Sequence, residues 1–314
     1  MPARVNAAAT AAVFTADGNS LLVGYDDGAV IAWGADLKKI SAWIPTLERS
    51  VADLAISPDG MLLAAGLRST AGQSGGALKI HSLNGAHFEV ARFDGWDGDV
   101  RSVAFSRAGN RLAAVGGTAN YDEAFFVDLP EMRGRWAPWP RHHHLLTGVA
   151  LSPDGKLAAV NCKRDISVWD IEAHRLIQEN QDRLPQRVQC LALSQNGQAL
   201  AAGCVGNNLD EHGIFSLWHG TPVRPTTVDS KTPQNGLLAV QFSPDDRLVV
   251  GSGADEAVYF WEAATGRLQT TIYPLQGAIR DLAFSPDGKR LVVVADRDVT
   301  AWTTPLSVLQ SRRR

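Results

Sequence analysis

The chain has 314 residues, with 30 Lys and Arg against 33 Asp and Glu and a formal net charge of −3. This near balance argues against nucleic acid or an anionic membrane as a general partner. No apolar run approaches the about 20 residues of a membrane-spanning helix, and the N-terminus lacks the apolar stretch of a signal peptide. The three cysteines, Cys162, Cys190 and Cys204, have no metal-like spacing and indicate buried thiols in a reducing compartment, so we expect a cytoplasmic protein.

One phrase returns seven times along the chain: an apolar strand, a turn like Ser-Pro-Asp-Gly, and a second apolar strand. The turns begin, in chain order, at Thr15, Ser57, Ser106, Ser152, Ser194, Ser243 and Ser285, in steps of 42, 49, 46, 42, 49 and 42 residues. A period near 42 made of short strands and tight turns is typical of four-stranded propeller blades. We therefore predict an all-β fold, a seven-bladed β-propeller of four-stranded antiparallel blades, that occupies 1–314 as a single domain.

Each repeat carries local signals for its own folding. In the turn, Pro presets φ, Asp caps its own backbone, and Gly adopts φ > 0 at little cost. The strand that follows is almost continuously apolar, which favours burial on both faces. Its alanines, such as Ala64 and Ala65, would let neighbouring blades approach closely.

The third strand of a repeat ends in a second recurring feature. The residues at this position are Trp33, His81, Asp128, Trp169, Trp218, Trp261 and Trp302. In four repeats an Asp precedes it by six residues: Asp27, Asp122, Asp255 and Asp296. The pattern resembles the WD-repeat β-propeller family, in its bacterial-type form with SPDG-rich repeats, over nearly the whole chain. The family's Gly-His pair is nearly absent, since only His142 falls at its place, with Arg141 instead of Gly.

The resemblance implies that the connections between the second and third strands of each blade, and those between blades, emerge together. We call this side the loop-rich face. Three connections between second and third strands are long, at 67–76, 116–123 and 205–213. Because loops on a rigid scaffold usually carry function, we expect a protein or peptide partner there. The candidate partner-binding residues are Trp96, Asp97, Arg101, Tyr121, Trp139, Arg141, His142, Arg187, Asn207, Asp210 and Arg280.

Several candidates have a structural alternative. Trp96 either anchors a partner or fills the slot of the family's histidine, and Trp136 of the segment 131–146 packs as outer-strand core. Arg101, Arg187 and Arg280 enter inner strands, where they either receive an acidic peptide or pair with Asp53, Asp99 and Asp281. The consecutive histidines 142–144 point alternately in an extended segment, so we expect no metal site.

The sequence contains no nucleophile elbow, phosphate loop, His-Glu-x-x-His or Cys-x-x-Cys motif. We therefore expect a non-enzymatic interaction scaffold without a cofactor. The alternatives are an enzyme or small-ligand binder at the mouth of the central channel, which needs titratable groups from several blades, and a structural subunit of a larger complex.

The closure of the ring is the least regular part of the prediction. The register places the outer strand of the last blade at 306–310, and we expect the first and last blades to pack together. In the alternative, segment 3–9 adds to the last blade. The basic residues 311–314 are expected to form a disordered tail.

Overall fold

The computed structural model describes residues 7–34, 36–37, 40–44, 47–69, 75–84, 88–118, 120–137, 146–179, 184, 186–206, 212–220, 224–225, 230–234, 236–273, 277–295 and 298–304. These residues form 28 β-strands. None of them belongs to a helix long and apolar enough to cross a membrane.

The strands form seven antiparallel sheets, each numbered from the centre of the ring outwards. Blades 1 to 3 consist of β1–β4 (Ala9–Phe14, Ser20–Tyr25, Val30–Gly34, Ile40–Ile44), β5–β8 (Val51–Ile56, Leu62–Leu67, Ala77–Ser82, Glu89–Phe93) and β9–β12 (Asp99–Phe105, Arg111–Gly117, Asp122–Asp128, Arg133–Trp136). Blades 4 and 5 consist of β13–β16 (Leu146–Leu151, Leu157–Cys162, Asp165–Asp170, Arg175–Glu179) and β17–β21 (Arg187–Leu193, Ala199–Val205, His212–His219, Arg224–Pro225, Ser230–Gln234). Blades 6 and 7 consist of β22–β25 (Leu237–Phe242, Leu248–Gly253, Val258–Glu262, Leu268–Ile272) and β26–β28 (Ile279–Phe284, Arg290–Ala295, Val299–Thr303).

The predicted all-β, seven-bladed propeller is confirmed, and its blades differ in their outer strands. Five blades have four strands, while in blade 5 both β20 and β21 pair with β19. Blade 7 has three strands among the described residues. The fourth strand predicted at 306–310 and the tail at 311–314 lie outside the described residues.

The SPDG turns are held by the serine that opens each of them. In blade 2, Ser57 Oγ donates to Asp59 Oδ1 at 2.5 Å and accepts the backbone N–H of Leu62 at 2.9 Å. The backbone of Ser57 also accepts the N–H of Gly60, whose φ is 74°. In blade 6 the glycine position is Asp246, with φ 56°, and its carboxylate accepts the backbone N–H of Gln195 at 2.6 Å in the turn of blade 5. The turn sequence therefore also joins neighbouring blades.

The core lies between blades, as expected for nearly continuous apolar strands. Phe215 of blade 5 stacks on Trp261 of blade 6, with ring centroids 4.1 Å apart and planes 9° from parallel. Small residues keep the sheets close, since a Cβ added at Gly24 of blade 1 would lie 2.5 Å from Val51 Cγ1 of blade 2. A single blade cannot bury either face of its own sheet, and the ring places a neighbouring blade against each face.

The ring closes by packing between blades 1 and 7. The inner strands β1 and β26 are in contact, and the Asp281 carboxylate accepts the backbone N–H of Ala12 at 2.8 Å. One buried cluster combines residues of both blades, including Leu21, Val23 and Val292. In the alternative closure, segment 3–9 would add to blade 7. This alternative is wrong for Ala9, the last residue of the segment, because Ala9 pairs with Tyr25 inside blade 1.

Candidate functional site

The alternating direction of antiparallel strands defines the loop-rich face in the structure. Connections between second and third strands, and those from one blade to the next, leave the sheets on the same side. The described part of this face includes 47–50, 68–69, 94–98, 118 with 120–121, and 254–257. Tyr273 lies there as well, in the connection from blade 6 to blade 7, and is 72% exposed.

Trp96 is buried rather than displayed on this face. Its side chain is 3% exposed and packs edge-to-face on Trp136 at 4.9 Å and on Phe125 at 6.2 Å. Its inclusion among the candidate contact residues is therefore corrected, because a closely packed indole offers a partner almost no surface. Trp136 covers this cluster from outside and is 42% exposed, so it is less buried than an outer-strand core residue would be.

The loops around Trp96 are ordered by hydrogen bonds from blade 3. The Glu123 carboxylate accepts the backbone N–H of Asp97 at 3.0 Å, and the Asp97 residue itself is exposed. In the neighbouring turn, the N–H of Thr118 donates to the carbonyl of Tyr121 at 2.8 Å. Tyr121 is 46% exposed, so a fixed turn presents its ring to solvent.

A β-bulge in each inner strand directs one residue towards the central channel. The register of every inner strand shifts where the bulged residue has no partner in the ladder. The bulged positions that line the channel are Thr10, Ala52, Arg101, Thr147, Gln189, Leu238 and Arg280. A bulge re-aims a side chain in this way because it locally breaks the alternation of the strand.

Two of the three predicted arginines occupy bulged positions, and the third does not. Arg101 and Arg280 line the channel. Arg187 is two positions earlier in its strand than the bulged Gln189, lies opposite Val205, and is exposed. The three arginines are therefore not equivalent, because the sequence shows the start of a strand but not the position of its bulge.

Arg101 forms an ion pair with Asp99, which was the structural alternative to its binding of an acidic peptide. Arg101 Nη2 lies 2.9 Å from Asp99 Oδ2. Asp99 Oδ1 accepts the backbone N–H of Ser69 at 2.9 Å and its hydroxyl at 2.7 Å. Both oxygens of Asp99 are thus engaged at the channel mouth, where they connect blade 2 to blade 3.

Asp53 and Asp281 join neighbouring blades through the backbone. Each follows a bulged residue, and its carboxylate accepts an N–H from the next inner strand, that of Val103 for Asp53 and of Ala12 for Asp281, both at 2.8 Å. Each also accepts the N–H of the residue that follows it. These bonds fix the spacing of blades 2 and 3 and of blades 7 and 1.

Burial raises the pKa of both carboxyl groups. It brings the pKa of Asp53 to about 6, and the pKa of Asp281 to about 7, where the charge of Asp53 adds to the rise. The backbone N–H groups act in the opposite direction and lower both pKa values. These are the perturbed titratable groups that a channel enzyme would need. Their hydrogen bonds give them a structural role.

The channel has a volume of about 1050 Å³ and differs between its two ends. Arg68, Arg101 and Arg280 line it together with Asp53 and Asp281, and the prolines of four SPDG turns line it as well. Arg107 Nη1 of blade 3 donates to Gln195 Oε1 of blade 5 at 2.5 Å, next to those prolines. The end on the loop-rich face thus carries three arginines among aspartates, and the opposite end carries prolines and a polar bridge.

The remaining candidates, Trp139, Arg141, His142, Asn207 and Asp210, lie outside the described residues. Among the residues that the structure does describe, no group of three His, Cys, Asp or Glu side chains is placed to hold a metal ion.

Sequence reasoning missed Arg68 and Tyr273. Arg68 opens the long connection of blade 2, so its position beside a predicted loop was an available signal. Tyr273 follows the outer strand of blade 6, in the connection to blade 7.

Known proteins that resemble this chain have the same repeat. A family model described as "WD domain, G-beta repeat" matches residues 226–262 and 267–303. These matches end just after Trp261 and Trp302, at the end of the third strand of blades 6 and 7.

Three curated relatives show how the similarity is distributed. An uncharacterized WD repeat-containing protein of Synechocystis sp. is 28% identical over 153 residues, which cover 48% of this chain and 41% of that protein. Echinoderm microtubule-associated protein-like 1 of Rattus norvegicus is 25% identical over 257 residues, which cover 77% of this chain and 30% of that protein. Apoptotic protease-activating factor 1 of Rattus norvegicus is 24% identical over 162 residues, which cover 49% of this chain and 12% of that protein.

The chain thus spans less than half the length of each of these relatives. The first of them is named for its WD repeats, and the seven sheets of this structure form a closed ring. The chain therefore contains WD40 repeats at 226–262 and 267–303, resembles WD-repeat proteins, and folds as a seven-bladed β-propeller.

Proposed function

We propose that this chain is a non-enzymatic scaffold that binds a partner protein or peptide on the loop-rich face. WD40 propellers related to it generally mediate protein–protein interactions or scaffold complexes. The proposal places this activity in the cytoplasm, where the thiol groups of Cys162, Cys190 and Cys204 would stay reduced.

The observation that carries the proposal is the display of tyrosines by ordered parts of the ring. Tyr121 is 46% exposed and Tyr273 is 72% exposed. Tyrosine offers a large apolar area and a hydroxyl at small entropic cost, and it is enriched at interface hot spots. Both residues lie on the loop-rich face, although blades 3 and 6 are far apart in the ring. A partner that touches both would have to extend across the channel mouth.

The non-enzymatic part of the proposal rests on the two channel carboxylates. Asp53 and Asp281 each accept two backbone N–H groups. Burial raises the pKa of both groups, and these bonds engage both carboxylates in holding blades together, which gives the two residues a structural role without catalysis. An enzyme that used these two groups would have to share them with the contacts between blades 2 and 3 and between blades 7 and 1.

Affinity capture with the tagged chain tests the proposed face. The variant Tyr121→Ala/Tyr273→Ala is expected to lose about 2 kcal/mol or more of binding free energy, a weakening of about 30-fold, because it removes both aromatic contacts. The matched control is Met61→Ala/Phe88→Ala, which truncates side chains that are 44% and 58% exposed on the opposite face. Isothermal titration of each variant with the captured partner measures the change.

A partner that binds the tyrosine variant normally and fails to bind the control would place the interaction on the SPDG side. That result would overturn the proposal. Equal loss in both variants would indicate damage to the ring, which thermal unfolding of each variant checks independently.

A further inference from the structure

Three arginines from three different blades meet at the channel mouth on the loop-rich face. Arg68 follows β6 of blade 2, Arg101 lies in the bulge of β9 in blade 3, and Arg280 lies in the bulge of β26 in blade 7. All three line the same cavity. They are near enough for the charges of Arg101 and Arg280 to act on Arg68.

The carboxylates around this mouth are engaged in holding the fold. Asp99 receives Arg101 and both donors of Ser69. Asp26 accepts the backbone N–H of Ala8 at 2.9 Å, and Asp53 and Asp281 accept the backbone N–H groups already described. These carboxylates are therefore hydrogen-bonded to the wall, and the three arginines line the same cavity.

Three guanidinium Nε atoms are buried without an acceptor in the described part of the chain, those of Arg68, Arg101 and Arg135. The first two belong to the channel mouth. A buried N–H of a charged group costs free energy when it has no acceptor, and a ligand oxygen would recover that cost. Burial lowers the pKa of Arg68, and the charges of Arg101 and Arg280 lower it further against the opposing charges of Asp99 and Asp26. The charges of Arg101 and Arg280 thus disfavour the charged form of Arg68, and a carboxylate placed between the three arginines would relieve that repulsion.

We propose that Arg68, Arg101 and Arg280 bind an acidic segment of the partner protein, whose carboxylates approach the channel mouth from the loop-rich face. This inference rests on the proposed function, because it names the chemistry of the partner at that same face. Carboxylates match the planar fork of a guanidinium group in both geometry and charge. A peptide rather than a free anion fits a mouth shared by three blades, since successive acidic side chains can reach successive arginines.

Fluorescence anisotropy with a labelled hexaglutamate peptide tests this proposal without an identified partner. The triple variant Arg68→Gln/Arg101→Gln/Arg280→Gln is expected to bind the peptide at least about tenfold more weakly than the unaltered chain. The matched control is Arg133→Gln/Arg175→Gln/Arg267→Gln, which removes the same charge from exposed residues of outer strands or the turns beside them. It is expected to bind the peptide normally.

Two further ligands test whether binding needs negative charge and whether it needs a peptide. Hexalysine is expected not to bind, and inorganic phosphate is expected to compete with hexaglutamate only weakly, because one small anion reaches one or two arginines. Equal loss in both triple variants, equal binding of hexalysine, or full competition by phosphate at a concentration matched to the peptide carboxylates would overturn the proposal.

The outcome is distinguishable from failure of the proposed function. A captured partner could bind the channel-mouth triple variant normally but lose affinity for Tyr121→Ala/Tyr273→Ala. The proposal that the partner binds the loop-rich face would then be supported, and the proposal of an acidic segment would be wrong. If the partner ignores both sets of substitutions, the proposed face is wrong as well.

Discussion

Asp53 and Asp281 show how a single residue type can connect blades of a propeller. Each follows the bulge of its inner strand and accepts a backbone N–H from the next blade. Burial holds their pKa values at about 6 and about 7, well above the ordinary value of 3.8. The folded protein therefore holds these protons more tightly than the unfolded chain, and stability is linked to pH.

We predict that the free energy of unfolding falls as pH rises from 5 to 8. Between the ordinary pKa and the raised one, the folded state binds more protons, so its advantage is greatest at low pH and is lost by about pH 8, at about 1.4 kcal/mol per unit of pKa difference. Urea denaturation at both pH values measures the effect. Asp53→Asn/Asp281→Asn should flatten the dependence.

The Asp residues of the SPDG turns do not contribute to the change in stability between pH 5 and pH 8. Hydrogen bonds to the turn serines lower the pKa of Asp59, Asp154 and Asp287 from 3.8, so their stabilising effect is lost only below about pH 4. A protein that is equally stable at pH 5 and pH 8, or a double Asn variant with unchanged pH dependence, would contradict the prediction.

At the scale of the strand, close approach between blades is the controlling feature. Gly24 of β2 faces Val51 and Leu54 of blade 2, and an added Cβ would lie 2.5 Å from Val51 Cγ1 and 3.2 Å from Leu54 Cδ1. Such distances leave no room for a methyl group unless the blades move apart. The small residues of the second strands thus set the spacing of the ring.

We predict that Gly24→Ala destabilises the fold by about 1–3 kcal/mol, as overpacking does in a dense core. Chemical denaturation measures the loss. The double variant Gly24→Ala/Val51→Ala should recover part of it relative to the sum of the single variants, because Val51 supplies the clashing methyl group. Strictly additive costs would show that the clash is not the cause.

The strands were largely predictable because their signals are local. The turns at Ser57 and Ser243 announce strands on either side, and the structure contains them at β5, β6, β22 and β23. The bulges were not predictable, since a bulge at Arg101 and the regular pairing of Arg187 have no different signature in the neighbouring residues. Similarly, the burial of Trp96 depends on Phe125 and Trp136, which lie in the third and fourth strands of the blade that follows it.

For the whole molecule, the seam between blades 1 and 7 joins the first and the last blade of the chain. Val292 of blade 7 is fully buried in the cluster shared with blade 1. Val249 of blade 6 is equally buried, in the cluster shared with blade 5. The two valines have similar surroundings, but only the first supports closure of the ring.

We predict that Val292→Ala and Val249→Ala cost similar stability, about 2 kcal/mol each, but differ in where they loosen the ring. Hydrogen exchange should accelerate mainly in blades 1 and 7 for Val292→Ala, because the chain is continuous everywhere except at this seam. For Val249→Ala the change should spread evenly. The same exchange pattern in both variants would argue that the seam is no weaker than other blade interfaces.

The sequence by itself determined the number of blades, their turns and the strand order, because these follow from signals within each repeat of near 42 residues. Only the tertiary structure decided which residues lie close together in space. It brought Arg68, Arg101 and Arg280 to one mouth, buried Trp96, and set Asp281 against Ala12 across 269 residues. The physical reason is that turns and strands depend on neighbours in the chain, whereas a channel mouth is made by the angle and spacing at which whole blades pack.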